Sequence, residues 1–305
     1  MKFIFFGTPE FAEIVLRKMI EGDCKPDLVI CNPDRPFGRK KVVTPPPTKR
    51  LAEEYGIEIW QPEKLTLENF EKKVDGIDPE RNSARAQTRP DGLGRAISNG
   101  VDFAVVAAYA KIIPQSIVDY PHLGTIGVHP SLFPKYRGAS PLQTAILEGE
   151  KETGVTLYSM DEKVDHGAIL AQRKTIIGVH ENYLQLEKRL AEIGGDLLAE
   201  TLVDFSAGKI KAKIQDESKS TLTKKFVTQD AFIDPENLEA AQAGNKEMAI
   251  EIHRKVRAFI FEPGAWTLQR VQGKEKRVKI LETDIVDNKL KLKKIQVEGE
   301  KVKKV

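Results

Sequence analysis

The sequence predicts an α/β domain built on a doubly wound, mostly parallel sheet, followed by a small antiparallel β-domain. Three observations carry that expectation. Short apolar runs at 3–6, 28–31, 103–108 and 125–128 alternate with segments whose apolar residues recur at helical spacing, the pattern of βα units around a sheet covered on both faces. Beyond Pro263-Gly264 the pattern changes to an alternation of lysine with Val, Ile and Leu, which suits half-buried antiparallel strands. A length of 305 residues with 40% apolar side chains is enough for two cores. The boundaries drawn from these changes are an α/β domain over 1–208, a polar linker over 209–230 and a β-domain over 231–305.

Taken in order, 3–6 reads as a buried strand, Gly7 as a turn, Thr8 as a cap and Pro9 as the first helical position, with Phe11, Ile14, Val15 and Met19 at helical spacing behind them. A dinucleotide site asks for several glycines in that turn, so the lone Gly7 speaks against NAD. The strand 28–31 runs into a proline-broken segment that excludes a helix and gathers Arg35, Arg39, Lys40 and Lys41, an exposed basic loop suited to phosphates. Helices are expected over 48–55 and 67–74, with 57–60 extended. The stretch 79–99, with Arg81, Arg85, Arg89 and Arg95, has almost nothing to bury and is expected to be a mobile surface excursion. A strand at 103–108 leads through 109–114 to a short helix, and 168–177 is extended. A long amphipathic helix over 183–205 is expected to flex at Gly194-Gly195. A helix over 245–259 precedes strands at 266–271, 276–282, 289–292 and 294–297, best accommodated by a small antiparallel barrel.

Net charge is only +3, but from 269 to 305 there are 12 Lys and Arg against 6 Asp and Glu, a local +6 that leaves −3 for the rest. Such a tail is either an electrostatic footprint for a polyanion or a set of lysines that keeps a small β-domain soluble. Cys24 and Cys31 make neither a disulfide framework nor a metal motif and read as structural thiols. His122, His166, His180 and His253 are scattered, so no metal is expected. An apolar pentad at the start is followed by no long apolar run, so neither a signal peptide nor a membrane span is expected, and the compartment is the cytoplasm.

The candidate chemistry lies in 124–171. An apolar strand delivers His129 to a loop closed by Pro130 and Pro134, and a second strand at 155–158 leads to the loop 161–167. Both loops are expected at the carboxyl ends of strands, where a parallel sheet binds its ligand. An imidazole with a carboxylate beside it suits acyl transfer to an amine, which must lose a proton as it attacks. No serine or cysteine in a strained elbow offers a covalent nucleophile, which favours direct transfer. On spacing alone, His129 next to two prolines reads rather as a packed loop histidine than as a catalytic one.

The motifs Gly-Thr-Pro-Glu-Phe-Ala (7–12), Pro-Asp-Arg-Pro-Phe-Gly-Arg-Lys-Lys (33–41), Ala-Tyr-Ala-Lys-Ile-Ile-Pro (108–114), His-Pro-Ser-Leu-Phe-Pro-Lys-Tyr-Arg-Gly-Ala-Ser-Pro-Leu-Gln (129–143) and Met-Asp-Glu-Lys-Val-Asp-His-Gly (160–167) are similar to those of the folate-dependent formyltransferases, and among these to the methionyl-tRNA formyltransferases. The resemblance implies a Rossmann-like α/β domain with an OB-like C-terminal β-barrel, shortened here, that binds tRNA. It implies transfer of the formyl group of 10-formyltetrahydrofolate to the α-amine of methionyl initiator tRNA, with no metal, no membrane and a monomer. His129 and Asp165 fall on catalytic positions of that family. Tyr109, Ile112, Pro114, Ser131, Leu132, Phe133 and Pro134 fall on folate-contacting positions, and Arg35, Arg39, Lys40 and Lys41 on the loop that meets the tRNA acceptor stem. Gly127 stands where the family carries a catalytic asparagine, so another donor is expected, and Gly127→Asn is expected to leave turnover largely intact. A formyltransferase acting on a nucleotide-linked amino sugar, or a folate or RNA binder with impaired turnover, are the alternatives.

Overall fold

The computed structural model describes residues 1–38, 41–75, 100–271 and 273–305; the expectations for Arg39, Lys40 and 79–99 lie outside the described residues. The chain begins with β1 (Phe3–Gly7), α1 (Glu10–Glu21) and β2 (Leu28–Ile30). A hairpin of β3 (Arg35–Phe37) and β4 (Val42–Thr44) leads to α2 (Pro47–Glu54), β5 (Glu58–Trp60) and α3 (Leu67–Asp75). Next come β6 (Phe103–Ala107), α4 (Gln115–Val118), β7 (Thr125–His129), β8 (Arg137–Gly138) and α5 (Pro141–Glu148). They are followed by β9 (Glu152–Ser159), β10 (Ile169–Ile176) and α6 (Tyr183–Ser206). The remainder is β11 (Leu222–Thr223), α7 (Pro235–Ala243), α8 (Lys246–Ala258), β12 (Trp266–Val271), β13 (Lys274–Val286), β14 (Lys289–Val297) and β15 (Lys303–Lys304).

Seven strands form one sheet in the order β10-β9-β7-β6-β1-β2-β5. β1 pairs in parallel with β2 on one side (Phe5↔Val29) and β6 on the other (Phe5↔Val105), and β5 and β7 extend the parallel run. The chain moves one way from β1 to β5 and the other way from β6 onward, so the order reverses between β1 and β6, the kind of point where such sheets bind ligands. Phe3, Ile4, Phe5, Phe6, Leu28, Val29 and Ile30 are all buried, which is why these strands are continuous apolar runs rather than alternations. α1 buries Phe11, Val15, Leu16 and Met19, each stabilising by about 1.5–3 kcal/mol.

Several local expectations change. Thr8 does not cap α1; its Oγ1 accepts from the Asn32 amide (3.2 Å) and donates to the Tyr109 carbonyl (3.3 Å), tying together the ends of β1, β2 and β6. The basic segment is not an irregular loop, because Arg35, Pro36 and Phe37 pair with Thr44, Val43 and Val42 in an antiparallel hairpin. α6 is unbroken at Gly194-Gly195: a Cβ at Gly195 would sit 2.3 Å from Lys18 Cβ and 2.8 Å from the Val15 carbonyl, so the glycine permits close approach of α6 to α1 rather than a flex. Between the polar linker and α8 lies α7, a helix not among those expected, capped by the Asp234 carboxylate, which accepts from the Glu236 amide at 2.8 Å.

β12, β13, β14 and β15 form a four-stranded antiparallel sheet in chain order. The two short strands expected at 289–292 and 294–297 are one, β14, paired to β13 across irregularities near Glu282. Val278, Ile280, Leu290 and Val297 are buried, while Lys279, Lys289 and Lys291 are exposed. By compactness the chain divides into one unit of 1–134, 154–173 and 188–220 and another of 135–153, 174–187 and 221–305.

Candidate active site

His129 is the last residue of β7, and Asp165 belongs to the loop after β9. Both loops follow the carboxyl ends of their strands, but those ends do not lie at one edge of the sheet as expected, because β9 runs antiparallel to β7 (Gly127↔Tyr158, His129↔Thr156). The chain leaves β9 beside the start of β7, where the Met160 amide donates to the Thr125 carbonyl (2.8 Å), and the loop must turn back to reach His129. It does so through a left-handed backbone at Asp165 (φ +52°) and the amide of buried Gln215, whose Nε2 lies 3.0, 2.9 and 2.8 Å from the carbonyls of Asp165, His166 and Gly167. The two side chains do meet: His129 Nδ1 stands 3.5 Å from Asp165 Oδ2, both largely buried.

The turn after His129 is held by Thr156, fully buried on β9. Its Oγ1 donates to the Ser131 carbonyl (2.7 Å) and accepts from the Phe133 amide (3.1 Å) and from Gln172 Nε2 (2.9 Å). Gln172 also donates to the Phe133 carbonyl (3.1 Å), so the backbone polar groups of this buried turn find partners, as burial demands. Phe133 lies against the imidazole (centroids 4.8 Å, 32°) and meets the Tyr158 ring edge to face at 5.1 Å.

Tyr158, 6% exposed, donates from its hydroxyl to Asp165 Oδ1 at 2.7 Å. Burial first, and the Asp165 carboxylate second, push this phenol well above its ordinary range, so it keeps its proton and acts as a donor. Its ring covers Gly127: a Cβ there would lie 2.3 Å from Cε1, 2.5 Å from Cζ and 2.8 Å from the hydroxyl. A side chain at 127 must displace the Tyr158 phenol, so Gly127→Asn, expected to leave turnover largely intact, meets a steric obstacle.

A family profile described as "Formyl transferase" matches residues 1–202, and one described as "Formyl transferase, C-terminal domain" matches 246–304. The chain belongs to the formyltransferase family. A relative named methionyl-tRNA formyltransferase from Synechococcus sp. (strain JA-2-3B'a(2-13)) is 38% identical over 283 residues, 92% of this chain and 76% of the relative. Among solved structures, a methionyl-tRNA formyltransferase from Clostridium thermocellum superposes with a TM-score of 0.56 at 16% identity, covering 97% of this chain and 98% of that one. An N-formyltransferase from Helicobacter canadensis, in complex with folinic acid and dTDP-3-aminofucose, superposes with a TM-score of 0.58 at 19% identity, covering 94% and 88%. At those identities the structures establish the shared fold.

The other residues expected at this formyltransferase site lie on three segments. Ser131, Leu132, Phe133 and Pro134 form the turn beside His129. Ile112 is 93% exposed on the segment after β6, and Pro114 caps α4. Tyr109 is only 2% exposed; its ring packs edge-on to Phe6 (5.4 Å) inside the core, and its carbonyl accepts from Thr8 and Asn32, so it supports the segment from beneath. Arg35 is exposed and paired with Glu63 (2.7 Å), and Lys41 is exposed. Sequence reasoning missed Tyr158, Thr156 and Gln215. Thr156 ends the stretch 152–156 that resembles the family, but its role, like that of Tyr158, follows only from the register of β7 with β9, and no local pattern marks Gln215. A separate cavity of about 520 Å³ is lined by His180, Gln185, His253, Arg257, Thr283 and Lys293 among others, and includes neither His129 nor Asp165.

Proposed function

We propose that this formyltransferase moves the formyl group of 10-formyltetrahydrofolate to the α-amine of methionine on initiator tRNA. One observation carries the reading: an imidazole and a carboxylate from distant parts of the chain stand 3.5 Å apart beside the turn after β7. The amine lone pair attacks the formyl carbon, a C–N bond forms, and the carbonyl oxygen takes negative charge. His129, with Asp165 beside it to stabilise the imidazolium, takes the proton that the amine loses. Collapse of the tetrahedral adduct breaks the bond to the folate nitrogen, which takes up a proton in turn.

A flat, partly apolar pterin suits the exposed Ile112 after β6 and the Leu132–Pro134 turn after the adjacent parallel β7, which emerge at the same edge of the sheet. Among the described residues no group of three His, Cys, Asp or Glu is placed to hold a metal. For the acceptor, the basic sequence segment with Arg35, Arg39, Lys40 and Lys41 and the lysine face of the C-terminal sheet offer sequence-blind contacts to RNA phosphates. No described helix is long and apolar enough to cross a membrane. The enzyme acts as a cytoplasmic monomer in this reading.

An amino-sugar acceptor is the second reading, favoured by the likeness to the N-formyltransferase crystallised with dTDP-3-aminofucose. The 38% identity to a methionyl-tRNA formyltransferase across 92% of the chain, C-terminal domain included, weighs toward tRNA. The test is purified protein with 10-formyltetrahydrofolate and either methionyl-tRNA or a dTDP-amino sugar. Formyl-methionine on deacylation, with weaker tRNA binding by Arg39→Ala/Lys40→Ala, supports the proposal; turnover with the sugar alone refutes it.

A further inference from the structure

We propose that Tyr158 is a positioning residue of the reacting pair: its hydroxyl, lodged in the space that Gly127 leaves open, holds Asp165 by Oδ1 while Oδ2 lies toward His129. The inference deepens the formyl-transfer reading above and rests on it. Three observations converge. Gly127 and Tyr158 are directly opposed on the antiparallel pair β7 and β9, and the tip of the phenol fills the volume that a side chain at 127 would take, 2.3 Å from Cε1 and 2.8 Å from the hydroxyl. The hydroxyl donates to Asp165 Oδ1 at 2.7 Å, while Oδ2 is 3.5 Å from His129 Nδ1. Phe133 closes the circuit, touching the imidazole on one side and the Tyr158 ring on the other.

A glycine covered by a cross-strand aromatic ring is by itself a structural device. The hydroxyl makes it more than that. Covering Gly127 needs only the ring, and phenylalanine would do it without burying a polar atom beside a carboxylate. Asp165 comes from a loop that must double back, and its backbone is in the left-handed region, so the carboxylate needs an external hold if it is to face the imidazole. Gln215 grips the loop by its carbonyls and Tyr158 grips the side chain. The phenol thereby occupies the position at which the resemblance leads one to expect an asparagine, and it explains how a site with glycine at 127 remains ordered.

The test compares wild type with Tyr158→Phe, which keeps the ring over Gly127, in steady-state formyl transfer to methionyl-tRNA. We expect kcat to fall about tenfold or more, the worth of a hydrogen bond to a charged group, with KM for both substrates within about twofold. In an Asp165→Asn background the same change is expected to have no further effect. Unchanged kcat, or an equal loss in the Asp165→Asn background, overturns the proposal. Should Tyr158→Phe fail to fold, the wild-type protein supplies a second readout: a slowly exchanging low-field hydroxyl proton resonance that shifts in Asp165→Asn, whose absence also overturns the proposal. Wild type inactive on methionyl-tRNA refutes the acceptor assignment alone, because the hydroxyl resonance is read without any acceptor.

Discussion

Replacing Gly127 with alanine is the most direct physical perturbation of the site. The added Cβ would lie 2.3 and 2.5 Å from Tyr158 Cε1 and Cζ, well inside van der Waals contact. The ring cannot simply step aside, since it is 6% exposed and packed at 5.1 Å against Phe133. Overpacking of this kind costs about 1–3 kcal/mol. Displacing the ring also breaks a buried hydrogen bond to a carboxylate, worth roughly 1.5–3 kcal/mol. The sum, about 2.5–6 kcal/mol, belongs to the severe class of single substitutions and is read from the denaturant midpoint together with the formyl-transfer rate. Tyr158→Leu removes Cε1, Cζ and the hydroxyl, so Gly127→Ala is expected to cost about 2 kcal/mol less in that background, a coupling measured by a double-mutant cycle. If Gly127→Ala is within about 0.5 kcal/mol of wild type and retains full activity, the packing argument is wrong. If the two substitutions are additive, the ring is not what occupies the glycine's space.

Three other outcomes are expected. Thr156→Val keeps the shape but removes a buried hydroxyl that donates to Ser131 and receives the Phe133 amide, so a loss of about 2–3 kcal/mol and a lower kcat are expected, checked by unfolding and turnover. Gly195→Ala forces α6 away from Lys18 and Val15 and is expected to lower stability by about 1–3 kcal/mol while leaving the reacting pair chemically intact, seen as a reduced Tm with KM unchanged. His253, 8% exposed and hydrogen-bonded to Thr283 Oγ1 (2.9 Å), is pulled down to about 4 by burial first, then by Arg257 and His180, with Asp284 opposing. Its folded value lies below the unfolded one, so the stability it contributes is present above about pH 6.5 and is lost as pH falls toward 4; a loss of about 2 kcal/mol by pH 5 is expected, and His253→Gln should flatten that limb of the stability profile.

Much of this architecture was legible because its cause is local. The runs 3–6, 28–31 and 103–108 are apolar throughout because their strands are buried on both faces, and period two beyond 263 reports one wet face carrying Lys279, Lys289 and Lys291. His129 and Asp165 were visible as motif residues, but the reason they meet was not. It depends on the antiparallel register of β9 against β7 and on Gln215, 50 residues beyond the carboxylate it helps place. The same holds for Tyr158, which reads as one more apolar strand residue until Gly127 is known to lie opposite it. Thr8 illustrates the converse: its place before a helix predicts a cap, yet the convergence of three strand ends gives its hydroxyl Asn32 and Tyr109 as partners instead.

The central claim is that one imidazole and one carboxylate act as a single proton-accepting unit in formyl transfer. Single-turnover rates with 10-formyltetrahydrofolate and methionyl-tRNA, measured for wild type, His129→Ala, Asp165→Ala and the double variant, test it most directly. The account predicts that each single change slows the chemical step by about a hundredfold or more and that the double variant is scarcely slower than the worse single one. Losses that multiply, or a His129→Ala rate equal to wild type, contradict it.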